Sequence, residues 1–419
     1  MTQTELEAPE CTRSPSPSAG MLSQRVRSLS VSATIAMAER AKALREAGRD
    51  AISLSLGELD FNTPEAIIDA ASEAAKKGFT RYTAADGAPL IKRAIIEKFA
   101  RENRVTYAMD EIHVASGAKQ VIYNAMAATL DPGDEVVVFT PYWVSYVEQV
   151  AFLGGTPVIV PTTIESGFVP DVAALERVMS SRTKWVLINT PNNPSGAVYP
   201  PEVLKRLAEV VARYPRAMIL SDEIYEHLAY DGVRHVPMLD CAPDLRERIL
   251  TVNGVSKTYA MTGWRLGYAA GPAPLIEAMA KVQSQTSGNT SSLSQAGAAA
   301  ALTGDQSLVA VWRTELQARR DAMLAGLRLA PRLRVPDVAG AFYAYVDVSG
   351  CLGARTPQGN ILKTDLDVAT YFLDADVAVV PGEAFGMSPF VRLSFALDRA
   401  RVGEACRRIV AACERLSDA

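Results

Sequence analysis

The chain has 419 residues, of which 48% are hydrophobic and 21% are charged, and its formal net charge is −4. These values are typical of a globular protein with a large buried core, and they exclude the overall basic charge that attracts nucleic acids or anionic membranes. The five cysteines are dispersed and the three histidines lack metal-ligand spacing. We therefore expect a cytoplasmic protein without a disulfide framework or a bound metal.

The predicted elements begin after residues 1–20, which are rich in Thr, Ser, Pro and Glu and have the composition of a disordered extension. From about residue 66 to 271, amphipathic helical stretches alternate with short β-branched runs. The clearest of these runs are 135–139, 185–188, 218–220, 250–252 and 266–269. Such alternation predicts an α/β fold in which a mostly parallel central sheet is sandwiched by helices.

The C-terminal part has a different pattern. A helical stretch near 308–329 is followed by strand-like runs at 342–348, 377–380 and 390–395 and by a last helix near 398–416. This order predicts a smaller α+β domain, completed by the segment that precedes the alternating region. We predict a large domain of residues 65–300 and a small domain formed by both chain ends, residues 21–64 and 301–419.

The most informative segment is residues 254–267, GVSKTYAMTGWRLG, in which Lys257 stands eight residues before Arg265. A lysine amine forms a Schiff base with an aldehyde, and an arginine fork binds a phosphate through paired hydrogen bonds. Pyridoxal phosphate carries both groups. The segment resembles the lysine attachment segment of class I pyridoxal-phosphate-dependent aminotransferases of fold type I. The resemblance extends from about residue 21 to the end of the chain and is closest to bacterial aspartate aminotransferases.

Polar residues that follow predicted strands are the next candidates, because ligands of open α/β sheets bind beyond the carboxyl ends of the strands. Asp222 follows the run 218–220, and Asn193 lies in the turn PNNPSG after the run 185–188. The resemblance implies that Asp222 pairs with the protonated ring nitrogen of the cofactor, and that Tyr225 and Asn193 donate to its phenolic oxygen. Taken alone, Asp222 would be interpreted as a helix N-cap and Asn193 as part of an ordinary turn.

Three further segments resemble cofactor-binding parts of the family. Gly117, Ala118 and Lys119 precede a predicted helix, and small residues at a helix start let a phosphate approach the outward-pointing N–H groups. Trp143, which follows a predicted strand, matches the aromatic residue that stacks on the cofactor ring. Tyr82 resembles the tyrosine that reaches the cofactor phosphate of the neighbouring subunit, which implies a homodimer with active sites at the subunit interface.

The substrate-binding residues are predicted near both chain ends. Arg392 alternates with apolar residues in the run VRLSF, and it resembles the arginine that binds the substrate α-carboxylate through two parallel hydrogen bonds. Gly57 resembles the glycine whose backbone meets the same carboxylate, although Leu59 stands where the family often has proline. Trp143 and Asn193 complete the predicted substrate contacts.

We therefore predict a pyridoxal-phosphate-dependent aminotransferase that moves the amino group of an L-amino acid to a 2-oxo acid by a ping-pong mechanism. Aspartate as donor, with 2-oxoglutarate as acceptor, needs a cation near its distal carboxylate. Lys119 is the candidate, with the hydroxyls of Ser32 and Thr34; prephenate, aromatic and neutral amino acids stay open. The alternative is elimination, replacement or ring-forming chemistry with the same cofactor, for example on S-adenosylmethionine, because fold and cofactor motifs do not decide the reaction.

Overall fold

The computed structural model describes residues 21–30 and 33–418, so the predicted extension of residues 1–20 and the candidate substrate contact Ser32 lie outside the described residues. The helices are α1 (Gln24–Arg27), α2 (Ala33–Glu46), α3 (Glu65–Lys76), α4 (Pro89–Lys98), α5 (Ala118–Ala127), α6 (Ser145–Phe152), α7 (Val172–Val178), α8 (Pro201–Ala212), α9 (Met238–Cys241), α10 (Ala273–Thr286), α11 (Ser292–Thr303), α12 (Ser307–Leu327), α13 (Asp365–Asp374) and α14 (Arg399–Glu414). The strands are β1 (Ile52–Ser53), β2 (Ile112–Ala115), β3 (Glu135–Phe139), β4 (Thr156–Val160), β5 (Thr183–Asn189), β6 (Met218–Asp222), β7 (Ile249–Gly254), β8 (Gly267–Ala270), β9 (Tyr343–Asp347), β10 (Val377–Ala378), β11 (Val380–Pro381) and β12 (Phe390–Ser394). None of the helices in this described part is both long and apolar enough to cross a membrane.

A seven-stranded sheet in the order β2-β8-β7-β6-β5-β3-β4 forms the centre of the described chain. Strand β8 runs antiparallel to both of its neighbours, and the other neighbouring strands are parallel. The inner strands β3, β6 and β7 are buried along almost their whole length, as expected for a sheet that is covered on both faces. The prediction of a mostly parallel sheet sandwiched by helices is confirmed.

Apolar cores cover both faces of this sheet. Successive side chains of a strand point to opposite faces, and accordingly Val137 packs in one core whereas Val136 and Val138 pack in the other. Trp185 of β5 is fully buried, and its indole N–H donates to Thr129 Oγ1 at 2.9 Å. Because β3, β5, β6 and β7 are parallel, the loops that follow them all leave the sheet at the same edge.

Both ends of the described chain contribute to a second, smaller unit. Strand β1 pairs in parallel with β10, and a separate antiparallel sheet has the order β11-β12-β9. Helices α2, α12, α13 and α14 contribute side chains to the core of this unit. We retain the division near residues 64 and 300 as a proposal.

The prediction of one strand at 377–380 is wrong. The chain pairs with β1 as far as Ala378 and with β12 from Val380 onward, so the run is divided between two sheets. A continuous β-branched run carries no signal for this change, because it depends on which strands lie alongside.

A buried ion network ties the segment after β6 to the end of α4. Lys98, whose side chain is fully buried, donates to the Glu226 carboxylate and to Asn103 Oδ1, the latter at 2.8 Å. Burial alone would raise the pKa of Glu226, but the positive charge of Lys98 and neighbouring groups hold this pKa well below its usual range. Glu102, Glu226 and His227 offer metal-ligand atoms within 4.8 Å of one another; Lys98 already supplies positive charge to this group.

Replacing Lys98 with Met should lower the free energy of unfolding by about 3–5 kcal/mol, because the Glu226 carboxylate then stays buried without its counter-charge. The matched control is Lys281→Met, which removes an exposed lysine from an exposed pair with Glu277, and its expected loss is below about 1 kcal/mol. Urea unfolding followed by circular dichroism measures both variants. Equal losses for the two would contradict the assigned role of Lys98.

Candidate active site

The loops after β3, β5, β6 and β7 and residues of the smaller unit enclose a cavity of about 360 Å³. This volume is suitable for a small molecule. Ten of the twelve predicted site residues line the cavity: Gly57, Ala118, Lys119, Trp143, Asn193, Asp222, Tyr225, Lys257, Arg265 and Arg392. Gly117 and Tyr82 are not among the lining residues, and Tyr82 is 98% exposed.

Lys257 lies three residues beyond the end of β7 and is half-buried. Its amine donates to the carbonyl oxygen of Gly57 and lies 5.8 Å from the ring centre of Phe342. Burial, with the positive charge of Arg392, lowers the pKa of Lys257 from its ordinary 10.5 to about 8. At neutral pH the nucleophilic free amine is therefore roughly 10²-fold more abundant than in an ordinary lysine.

Asp222 is the last residue of β6, and its side chain is buried. Oδ2 accepts a hydrogen bond from the hydroxyl of Tyr146 at 2.6 Å, and Oδ1 accepts one from the backbone N–H of Ile224 at 3.3 Å. Burial raises the pKa of Asp222 to about 6, although both hydrogen bonds oppose this change. The carboxylate is therefore mostly ionised at neutral pH and lines the cavity as a buried anion.

Arg392 of β12 is a buried cation with an unsatisfied donor. Its Nη1 donates to Asn193 Oδ1 at 3.0 Å and its Nη2 to the Ser55 carbonyl at 2.6 Å, but its Nε has no hydrogen-bond partner. The rings of Tyr343 and Phe385 lie 4.5 and 4.9 Å from the guanidinium carbon. Burial lowers its pKa, and no carboxylate among the described residues forms a salt bridge with it. Such a group is prepared to bind an anionic ligand.

Tyr225 and Asn193 line the cavity from the loops after two neighbouring strands. The hydroxyls of Tyr225 and Tyr343 lie 3.0 Å apart, and burial raises the pKa of Tyr225 well above its ordinary value, so this phenol stays neutral. The backbone N–H of Asn193 donates to Asn189 Oδ1 at 2.9 Å, which holds the turn in place. A side chain on Gly57 would begin 2.5 Å from the Tyr343 hydroxyl, so a larger residue here would have to displace that hydroxyl.

The start of α5 forms a cradle with Arg265. Gly117, with φ of +93°, precedes the helix, and a Cβ atom on it would lie 2.5 Å from Arg265 Nη2. Glycine therefore allows the guanidinium to lie against the backbone. Arg265 donates to the Thr262 carbonyl at 2.9 Å, and Ala118 and Ser256 line the same corner of the cavity. Helix-terminal N–H groups beside a guanidinium are suited to a phosphate.

Lys119 and Trp143 lie together at another part of the lining. The Lys119 ammonium lies 5.1 Å from the centre of the Trp143 ring. Burial, with the positive charge of Arg265, lowers the pKa of Lys119. Thr34, the predicted hydroxyl partner of Lys119, also lines the cavity. These residues combine an aromatic face with a cation.

Tyr146 and Tyr343 are among the lining residues that the sequence did not indicate. Tyr146 follows Trp143 by three residues and contacts it edge to face, at 5.3 Å between ring centres. Its place in the first turn of the helix that follows β3 is the feature of the sequence that could have indicated Tyr146. Tyr343 begins β9, and its contact with Arg392 depends on the antiparallel pairing of β9 with β12, which no local pattern reveals.

An α/β fold with a lysine amine, a buried carboxylate and a buried guanidinium without an anionic partner around one cavity is the arrangement expected of a group-transfer enzyme. Residues 49–409 match the family model described as aminotransferase class I and II, and the chain belongs to this family. The predicted family, fold type and enzyme class are confirmed.

Relatives of known name cover nearly the whole chain. It is 50% identical to aspartate aminotransferase of Rhizobium meliloti (strain 1021), covering 94% of this chain and 96% of the relative. It is 46% identical to aspartate/prephenate aminotransferase of Cereibacter sphaeroides, covering 94% and 99%. The crystal structure of a Rhizobium meliloti aspartate aminotransferase superposes with a TM-score of 0.91 at 49% identity, covering 94% and 99%. The structure of aspartate aminotransferase from Thermus thermophilus with maleate superposes with a TM-score of 0.87 at 42% identity, covering 93% of this chain and 99% of that structure.

The low pKa of Lys257 can be tested on cofactor-free protein by competitive acetylation with trace acetic anhydride, each lysine peptide being quantified by mass spectrometry. Acetylation of Lys257 should be half-maximal near pH 8, with exposed Lys281 as the reference lysine in the same sample. In Arg392→Met the midpoint should move to higher pH, because a nearby positive charge has been removed. A midpoint at the ordinary lysine value of 10.5 in the unmodified protein would show that the site does not lower this pKa.

Proposed function

We propose that this aminotransferase uses pyridoxal phosphate and that its amino donor is an acidic L-amino acid, with aspartate and 2-oxoglutarate as the pair to test. One observation carries the proposal: Lys257, Asp222 and Arg392 surround the same cavity, as an amine of lowered pKa, a buried carboxylate and a buried cation without an anionic partner. The relatives named aspartate and aspartate/prephenate aminotransferase, and the Thermus structure with the dicarboxylate maleate, support an acidic donor.

The donor groups of the cavity fit pyridoxal phosphate. The start of α5 and Arg265 offer N–H donors and positive charge for its phosphate, and Gly117 lets the guanidinium lie close to the helix start. When bound, the cofactor supplies an aldehyde that takes up the substrate amino group and a ring that withdraws electrons from the substrate α-carbon. The residues that would hold it are Ala118, Lys119 and Arg265 at the phosphate, Asp222 at the ring nitrogen, Tyr225 and Asn193 at the phenolic oxygen, Trp143 at the ring face and Lys257 at the aldehyde.

Lys257 is the residue that we propose moves a proton at the substrate α-carbon. A pKa of about 8 lets its amine both accept and release a proton near neutral pH, as a general base and acid must. The carbonyl oxygen of Gly57 holds the amine in position. Asp222, ionised at neutral pH, supplies the negative charge that keeps a ring nitrogen protonated.

Arg392 is the proposed binding group for the substrate α-carboxylate. Its Nε lacks a partner, and a carboxylate would satisfy this donor and neutralise the buried charge. The hydrogen bond from Nη1 to Asn193 and the flanking ring of Tyr343 set the plane of the guanidinium. The same binding mode serves an amino acid and a 2-oxo acid in turn, which is consistent with a ping-pong exchange.

Tyr82 supports the proposal of a homodimer. Tyr82 is 98% exposed, yet buried and part-buried hydrogen bonds hold its loop. Gln295 accepts from the Ala88 N–H at 2.7 Å and donates to Thr83 Oγ1 at 3.1 Å, and Gln283 donates to the Ala85 carbonyl. An aromatic side chain presented on a well-held loop is suited to contact a second copy of the chain.

Replacing Lys257 with Ala should lower the rate of glutamate formation from L-aspartate and 2-oxoglutarate by roughly 10²- to 10⁴-fold, because the proton-transfer group is lost. The visible absorbance that pyridoxal phosphate acquires on binding should disappear as well. Lys281→Ala, at an exposed position, is the control and should retain both properties. A Lys257→Ala variant that keeps activity and absorbance would contradict the proposal. Release of ammonia by the unmodified enzyme without glutamate would instead favour elimination chemistry.

Replacing Lys119 with Met separates its two proposed roles. If Lys119 binds the distal carboxylate, kcat/KM for aspartate should fall about 10- to 100-fold, as expected for the loss of a charge-assisted hydrogen bond, while kcat/KM for alanine changes little. Steady-state kinetics with both amino donors measures this difference. Equal losses for aspartate and alanine would assign Lys119 to the cofactor phosphate instead.

A further inference from the structure

The contact between Tyr146 and Asp222 joins two elements at the base of the cavity. The Tyr146 hydroxyl donates to Asp222 Oδ2 at 2.6 Å, and both side chains are buried. This O–H···O separation lies in the range of hydrogen bonds to an ionised acceptor, which are roughly twice as strong as neutral ones. Asp222 belongs to the end of β6, whereas Tyr146 lies in the first turn of α6.

Tyr146 is itself held in place. Its backbone N–H donates to the Trp143 carbonyl at 3.0 Å, and its ring packs edge to face on the Trp143 ring at an interplanar angle of 87°. Burial raises the pKa of this phenol well above its ordinary value, so the hydroxyl keeps its proton. The hydroxyl is therefore available as a donor wherever Asp222 is ionised.

The groups that face Asp222 shift its pKa in opposite directions. Burial and the adjacent Glu223 favour the protonated acid, whereas the Tyr146 hydroxyl, the Ile224 N–H and Lys257 favour the carboxylate. The Tyr146 hydroxyl is the side-chain donor of this group. Its removal would leave Oδ2 buried without its donor, and the acid would keep its proton to higher pH.

We propose that Tyr146 is a positioning residue whose hydroxyl keeps the Asp222 carboxylate ionised and oriented in the cavity. This inference rests on the function proposed above, because an ionised Asp222 matters there for the ring nitrogen of bound pyridoxal phosphate. Trp143, the proposed ring-stacking residue, packs on the same tyrosine, so Tyr146 links two proposed cofactor contacts.

The test is the dissociation constant of pyridoxal phosphate for the full-length cofactor-free chain, measured by tryptophan fluorescence quenching at about pH 5 and about pH 7.5, below and above the Asp222 transition near 6. For Tyr146→Phe, the ratio of this constant to that of the unmodified protein should be near one at the lower pH. At the higher pH it should rise severalfold, because Asp222 is then almost fully ionised in the unmodified protein, whereas loss of the hydrogen bond leaves a larger fraction of it protonated in the variant. In Tyr146→Phe the acid limb of the pH profile of kcat/KM for aspartate should also move to higher pH.

Two control variants separate the hydrogen bond from packing. Tyr199→Phe removes the hydroxyl of another buried tyrosine that makes no hydrogen bond to Asp222, and its ratio should stay near one at both pH values. Tyr146→Gln keeps an N–H donor but loses the ring, so its ratio should not depend on pH. A pH-independent ratio for Tyr146→Phe, or the same pH dependence for Tyr146→Gln, would overturn the role of Tyr146. No binding by the unmodified protein would overturn the proposed function itself, and this inference with it.

Discussion

The structure depends on holding a buried carboxylate and a lysine amine beyond the ends of adjacent parallel strands. Strands β6 and β7 pair so that Asp222 lies opposite Val252, and Lys257 follows five residues later. Either charge alone would be costly to bury. Each favours the charged form of the other, and the pKa values of about 6 for Asp222 and about 8 for Lys257 show that burial still acts against both.

The cavity also requires the smaller unit. The guanidinium of Arg392 comes from β12 and reaches both Asn193, after β5, and the Ser55 carbonyl, near β1. A backbone hydrogen bond of 2.8 Å from the Ser394 N–H to the Leu54 carbonyl joins the two chain ends at this place. The proposed substrate-binding cation therefore lies where three segments that are far apart in sequence meet.

Much of this arrangement follows from local sequence. The β-branched runs buried on both faces required a sheet covered by helices, and the sheet is as predicted because such strands have no solvated face to present. Asp222 and Asn193 were found because polar residues after buried strands collect at one edge of a parallel sheet, and Lys257 was found from its spacing to Arg265. The run 377–380 was misinterpreted as one strand, since its division between two sheets depends on the neighbouring strands and not on its own residues.

The sequence by itself determined the central sheet, the residues presented at its carboxyl edge and the chemical groups available there, because periodicity, turn residues and side-chain chemistry are local properties. Only the tertiary structure decided which side chains surround those groups. The Tyr146 hydroxyl on Asp222, the Tyr343 ring on Arg392 and the Gly57 carbonyl on Lys257 are contacts between distant segments. Burial and these contacts shift the pKa values and leave Arg392 Nε without a partner, and both effects depend on the packed environment.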